Sequence, residues 1–393
     1  MLRYVGILIS FLSITPRYGV YSETIFREDI SILSAPAVVD GRIDQQEVGI
    51  IVDTGAELSA IDGELEKNGT VGVGIANIRD IHEQKISARQ VDIECLNFGD
   101  HVFRNIEAVS FDFSPLRQMY GDRIRGIIGF NELGKGKLFL NFSQKAIELH
   151  TDDWRIDNGD YHEARLFHRK PRLPYIETSF FGSKRSFLID TGFDGTIQLP
   201  AELFDELVEA GRIELRRTPM RIMGGTGVIE SVRSGWLLEG SLMGKDLTGI
   251  PVDTAQEAKL GLEWLFGFDV ELDMAAGKIR YRLINDPTPP IDWRLMLGAR
   301  LSFHAEGARL ESLKPGGGAA ENAGLKVGDL IVEFGELSAK QMSNGTLATI
   351  VEQAAGGTLS LRVKKASDEL PVIVELELPD AVSKWEFPGR GSL

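Results

Sequence analysis

One cysteine, Cys95, stands in a chain of 393 residues, which excludes an intrachain disulfide and leaves stability to the core. Cys95 lies in the alternating stretch Val91 to Leu96, where it is expected as a buried strand side chain. Cations are also scarce: 43 Lys and Arg against 58 Asp and Glu give a net charge of −15. With no long basic run, that balance argues against nucleic acid or an anionic membrane as partner. The six histidines do not form a metallopeptidase helix, because His82-Glu83 lacks a second His four residues after the first. No Cys/His cluster suits zinc, no Gly-x-Ser-x-Gly elbow is present, and nothing calls for a cofactor.

Apolar runs long enough to span a bilayer are missing as well. The nearest is Val5 to Ile14, preceded by Arg3 and followed by Val20 and Ser22. Residues 1–22 are therefore expected to be a secretory signal, placing the protein outside the cytoplasm (secreted or periplasmic). A retained N-terminal anchor is the rival reading, and the one route to a membrane.

What the chain does have is glycine, 43 of them, with short alternating stretches and few of helical period, so it reads as mainly β. A helix is expected at Ala201 to Ala210, where Leu203, Phe204, Leu207 and Val208 recur at helical spacing before Gly211. The tripeptide Asp-Thr-Gly occurs twice, at Asp53-Thr54-Gly55 and Asp190-Thr191-Gly192, after the apolar runs Ile50-Ile51-Val52 and Phe187-Leu188-Ile189. Average composition yields one such tripeptide in about a tenth of chains this long. A second repeat follows: setting Gly129 on Gly261 also sets Leu133 on Leu265, Asn141 on Asp273 and Ile147 on Ile279. The organisation expected is a unit at 30–150, a polar linker at 151–172, a second unit at 173–285, a third at 294–380 after Pro287-Thr288-Pro289-Pro290, and a tail at 381–393.

Two aspartates at strand ends suit one chemistry. Carboxylates in contact cannot both ionise cheaply, so the pair shares a proton and supplies an acid and a base together. The glycines permit tight turns whose N–H groups approach the carboxylates. Val252-Asp253-Thr254-Ala255 lacks the glycine and is expected to be a loop, and Asp194 a solvated turn acid.

These motifs resemble the active-site turns of pepsin- and retropepsin-like aspartic proteases, with Asp190 to Gly195 and Leu199-Pro200 similar to a bacterial retropepsin-like subgroup. The resemblance covers about residues 35–285 and implies a two-lobed acid-protease β-barrel fold, one active site within a monomer and a polypeptide substrate. It implies Asp53 and Asp190 as the catalytic pair, Thr54 and Thr191 as hydroxyls joining the two turns, and Gly55 and Gly192 within those turns. Ile127-Ile128-Gly129 matches the element that braces the first loop; Lys259-Leu260-Gly261 is its counterpart, with a charge where an apolar residue is usual. Ala56 and Phe193 replace the Ser or Thr of pepsin-type motifs, so a less acidic optimum is expected. The family covers substrate with a flap, for which Gly224, Gly225, Thr226 and Gly227 are candidates, with Gly72 to Ala76 as the first-unit equivalent. A protein of this fold that binds peptides without cutting them would carry the same turns.

Residues 323–332, Ala-Gly-Leu-Lys-Val-Gly-Asp-Leu-Ile-Val, resemble the hallmark of PDZ domains, implying a PDZ-like α/β domain that binds peptide C-termini by strand addition. Gly298, Ala299, Arg300 and Leu301 are the candidates for its carboxylate-facing loop, with a helix expected at Thr346 to Glu352 and a strand at Leu359 to Val363.

Overall fold

The computed structural model describes residues 24–29, 36–43, 45–68, 72–79, 85–98, 101–151, 160–167, 173–216, 220–224, 227, 229–284, 293–313, 318–365 and 370–380. The expected signal segment 1–22 and the tail 381–393 lie outside them.

Alternation of apolar and polar residues closes the first lobe. Val38–Ile43 pairs with Gln46–Val52 along one edge and, through Arg42 and Ile43, with Lys85–Phe98 along the other. With Ile124–Ile128, Ser59–Asp62 and His101–Phe111 between them, six strands form a barrel. Its interior is filled by Ile50, Val52, Ile61, Val91, Ile93, Ile106 and Ile128, all within one core. Gly72–Arg79 extends the sheet outside the ring as a hairpin with Lys85–Phe98.

The inward alternation of Lys85–Phe98 slips after Ile93, opposite Asn105, whose φ is +53°. Cys95 is therefore half-buried rather than buried, and accepts from Arg104 Nη1 at 3.1 Å.

The second lobe repeats the pairing order. Tyr175–Phe180 runs antiparallel to Ser183–Asp190, which is parallel to Lys259–Gly261; that strand is antiparallel to Ile197–Pro200, itself parallel to Pro251–Ala255. In the first lobe the corresponding sequence is Val38–Ile43, Gln46–Val52, Ile124–Ile128, Ser59–Asp62 and His101–Phe111. Asp253 is thus on a buried strand, not a loop, because parallel pairing with Ile197–Pro200 absorbs its backbone. The helix over this region is Ala201–Glu209.

Six strands of a longer sheet join the lobes, in the order Thr24–Asp29, Ala146–His150, Lys137–Asn141, Phe268–Asp273, Lys278–Leu283, His162–Phe167. Their central pairs are Lys137 with Asp273, Leu138 with Leu272, Leu140 with Val270 and Asn141 with Asp269. Exchanging each residue for its counterpart in the repeat returns the same pairs, so a pseudo-twofold axis passes between these two strands. Leu138, Leu140, Val270 and Leu272 belong to a single core shared by both lobes. The expected linker contributes to this sheet: His162–Phe167 pairs with Lys278–Leu283 because its alternation turns Leu166 inward.

The third unit has its own core and a sheet in the order Ala299–His304, Gly307–Leu313, Leu330–Phe334, Thr358–Lys364, Val372–Glu377. The helix Asn344–Gln353 starts at a capping box, with Ser343 N donating to Thr346 Oγ1 at 2.8 Å and Ser343 Oγ accepting from Thr346 N at 3.2 Å. This unit rests on the first lobe. Helix Ser114–Tyr120 lies against strand Ala299–His304, and Gly121 bridges to Ser343.

Because the central sheet packs both lobes on one core, Leu140→Ala is expected to cost about 2–5 kcal/mol. A urea titration should show the midpoint for both lobes falling together; loss confined to one lobe would contradict a shared core.

Candidate active site

The site begins where two strands end. Asp53 follows Gln46–Val52 and Asp190 ends Ser183–Asp190, and each of these strands is flanked in parallel by the bracing strand that follows it in sequence. Asp53 N donates to Ile128 O at 3.1 Å, and Asp190 stands opposite Gly261. Each Oδ1 then takes two backbone N–H groups from its own turn: Gly55 at 2.8 Å and Ala56 at 3.0 Å for Asp53, Gly192 and Phe193, both at 3.1 Å, for Asp190.

The turns are tied together by their threonines, which are fully buried. Thr54 N donates to Thr191 Oγ1 at 3.0 Å, while Thr191 N donates to Thr54 Oγ1 at 3.1 Å. Each hydroxyl also donates across the axis, Thr54 to Ile189 O and Thr191 to Val52 O, both at 2.7 Å. The glycines are required by contact. A Cβ on Gly55 would lie 2.3 Å from Asp190 Oδ1, and one on Gly192 would lie 2.3 Å from the Asp53 carboxyl carbon. Each turn thus presses its glycine onto the other's carboxyl.

Bracing works the same way. A Cβ on Gly129 would fall 2.5 Å from the Leu58 carbonyl carbon, and one on Gly261 2.3 Å from Gly195 O. Asn131, which sequence reasoning missed, completes the first brace. Its Oδ1 accepts from Ser59 N at 2.8 Å and Oγ at 2.9 Å, and its Nδ2 donates to Glu107 O at 2.8 Å.

Electrostatically the two lobes differ. Burial, reinforced by the neighbouring Asp190, pushes Asp53 up to about 7, against its two N–H donors and Lys259. Lys259 is buried and its Nζ donates to Asp190 Oδ2 at 3.1 Å. Burial works against the charge on this ammonium, yet the attraction of Asp190 and Glu257 leaves it above the usual lysine range. Its counterpart in the first lobe is Ile127, half-buried among apolar neighbours. The charge was legible in the sequence; its partner was not.

Two further groups escaped the sequence. Tyr120, at the end of helix Ser114–Tyr120, is buried and lies within the fields of Asp194, Arg294 and Asp53; burial first, then Asp194, raises its phenol well above the ordinary range. Burial also lifts Asp253 to about 7, with Arg216 opposing and Asp194 and Glu263 adding to the shift. Asp194 is half-buried, not a freely solvated turn acid, because it sits among these groups. Among the described residues, no three His, Cys, Asp or Glu side chains are grouped to hold a metal ion.

Of the flap candidates, Gly224 and Gly227 close a hairpin between Met220–Met223 and Ile229–Val232, with Gly227 N donating to Gly224 O at 2.9 Å. Gly227 has φ +81°, and a Cβ there would meet Pro115 Cγ at 2.6 Å, so the hairpin tip reaches the first lobe. Gly225 and Thr226 lie outside the described residues. Gly298 turns at φ +66° into Ala299, Arg300 and Leu301, which open the edge strand of the third unit.

Residues 39–131 match the family described as aspartyl protease. No curated protein matches the chain.

Removing one threonine hydroxyl leaves a buried N–H and a buried C=O without partners, each costing about 1–3 kcal/mol. Thr191→Val is therefore expected to lower the urea midpoint by an amount equivalent to about 2 kcal/mol or more, and Thr54→Val to match it.

Proposed function

We infer that the chain, with its aspartyl protease domain at residues 39–131, is an aspartic endopeptidase whose site combines that domain with the second lobe. The observation that carries this reading is the contact of the two Asp-Thr-Gly turns, each glycine against the other turn's carboxyl. A water held between Asp53 and Asp190 is the nucleophile. The ionised carboxylate takes one proton from it as the oxygen adds to the scissile carbonyl carbon. The protonated partner gives its proton to the carbonyl oxygen, forming a neutral tetrahedral diol. The first carboxyl then protonates the leaving nitrogen, the C–N bond breaks, and a diol proton returns to the second. No atom is left unbalanced, and the pair ends as it began.

Extended polypeptide is the substrate that a paired-aspartate site between two lobes, with a hairpin reaching across them, is read to take. The hairpin 220–232, whose tip meets Pro115, is read as the flap that excludes water from bound substrate. The third unit is read as a PDZ-like domain taking peptide ends, which its glycine turn at Gly298 supports. The signal-like N-terminus supports an extracytoplasmic setting.

A second reading, peptide binding without cleavage, draws on Lys259, whose ammonium occupies Asp190 Oδ2. Incubation with an unbiased peptide mixture, analysed by mass spectrometry, separates the two. Cleavage is expected from the wild type and should drop at least about a hundredfold in Asp53→Asn and in Asp190→Asn. Activity needs the proton on the pair, and Asp53 holds its proton up to about 7. The rate should therefore fall as pH rises through that value, about tenfold per unit beyond it. Cuts that survive in both mutants would assign the activity elsewhere.

A further inference from the structure

The two lobes are related by a pseudo-twofold axis, and the hydrogen bonds of the aspartate turns obey it. The environment of the carboxyls does not. At the same place in the two bracing strands stand Ile127 and Lys259. Ile127 packs with the apolar set around Phe113, Leu116 and Tyr120. Lys259 lies between Leu188 and Gln198 on the neighbouring strands and turns its ammonium onto Asp190 Oδ2 at 3.1 Å. Both members of this ion pair are buried, so bulk solvent does little to screen it. A buried ammonium is costly unless paired, and it has been placed on one carboxylate of the two.

We propose that Lys259 is a positioning residue that breaks the equivalence of the pair, fixing Asp190 as the ionised member and Asp53 as the member that carries the proton. This rests on the peptidase reading for its catalytic meaning, though not for its physical content. Asp190 is then always the group that draws a proton from water, and the catalytic cycle runs in one sense. Once Asp190 has taken that proton, the adjacent ammonium makes it a stronger donor to the departing nitrogen. The same cation keeps one charge on the pair in more acidic solution than two like carboxyls alone would hold.

Other charges facing the pair do not duplicate this. Glu257, on the loop before the bracing strand, accepts from Tyr175 Oη at 2.7 Å and attracts Lys259. Tyr120 lies in the fields of Asp194, Arg294 and Asp53, and Asp253, Arg216 and Glu263 form a neighbouring group. Lys259 is the cation in hydrogen-bond contact with Asp190.

Two measurements test this. The first is the pH profile of kcat/KM for wild type, Lys259→Met and Lys259→Arg. Loss of the cation raises both limbs, the acid limb more because Lys259 touches Asp190, so Lys259→Met should move the acid limb up by about one to three pH units and narrow the bell from that side. Lys259→Arg should leave it where the wild type has it. A Lys259→Met enzyme that is merely slower, with both limbs unmoved, overturns the proposal. The second does not need activity. In wild-type protein with 13C-labelled aspartate carboxyls, one resonance of the Asp53–Asp190 pair should titrate near about pH 7 and be the one missing from Asp53→Asn, while that of Asp253, outside the pair, titrates in the same range and is identified by its loss in Asp253→Asn. Two resonances of the pair moving together across that range would mean an equally shared proton and sink the idea. If the wild type cuts nothing while the single-carboxyl titration is seen, the peptidase reading fails and the role of Lys259 stands.

Discussion

Everything in this site depends on four hydrogen bonds that the Thr54 and Thr191 hydroxyls make across the axis. They join backbone to hydroxyl in both directions and run on into Ile189 and Val52, so the last residues of the two aspartate-bearing strands are held as one unit. Because these groups are fully buried, no water can replace a lost partner, and the turns have one arrangement in which all are satisfied. That arrangement places each glycine on the opposite carboxyl. The burial and the proximity to Asp190 that lift Asp53 therefore follow from backbone satisfaction beneath it, not from any attraction between the acids.

The central sheet extends the same constraint outward. Lys137–Asn141 and Phe268–Asp273 pair across the pseudo-twofold axis, and Leu138, Leu140, Val270 and Leu272 draw both lobes onto one core. A two-lobed cleft with independent cores would let the turns separate at the cost of four hydrogen bonds. Here separation would also expose those side chains, each fully buried leucine or valine contributing about 1.5–3 kcal/mol. Symmetry ends at the bracing strands, where Ile127 and Lys259 occupy matching places in different company.

Much of this was legible in the chain before folding. The twin Asp-Thr-Gly turns, the glycines 129 and 261, and the helix near Ala201 are local patterns, and local patterns survive into the structure. Partners across a fold leave no such trace. The charge at Lys259 stood out, yet only the parallel pairing of Leu188 with Lys259 brings it to Asp190. Tyr120 carries no motif and reaches the field of Asp53 because a helix precedes the bracing strand. The strand His162–Phe167 was hidden in a polar segment, since one side of it is exposed and Leu166 alone turns fully inward. Cys95 was misjudged because a positive φ at Asn105, on the facing strand, interrupts an alternation that looks unbroken in one dimension.

Helix Ser114–Tyr120 shows why the third unit cannot be treated as an appendage. Its Pro115 meets the hairpin tip at Gly227, Tyr120 lies in the field of Asp53, and its outer side takes the edge strand Ala299–His304. Gly121 then bridges to Ser343, with no room for a side chain: a Cβ there would come within 2.7 Å of the Ser343 Cβ. Seven residues thus touch the hairpin, the charge field of the pair and the third unit at once. A helix this short has no interior to absorb strain, and the bridge beyond it fixes its C-terminal end. A displacement of the edge strand must therefore move the helix as a whole, and with it the surface that Gly227 rests on.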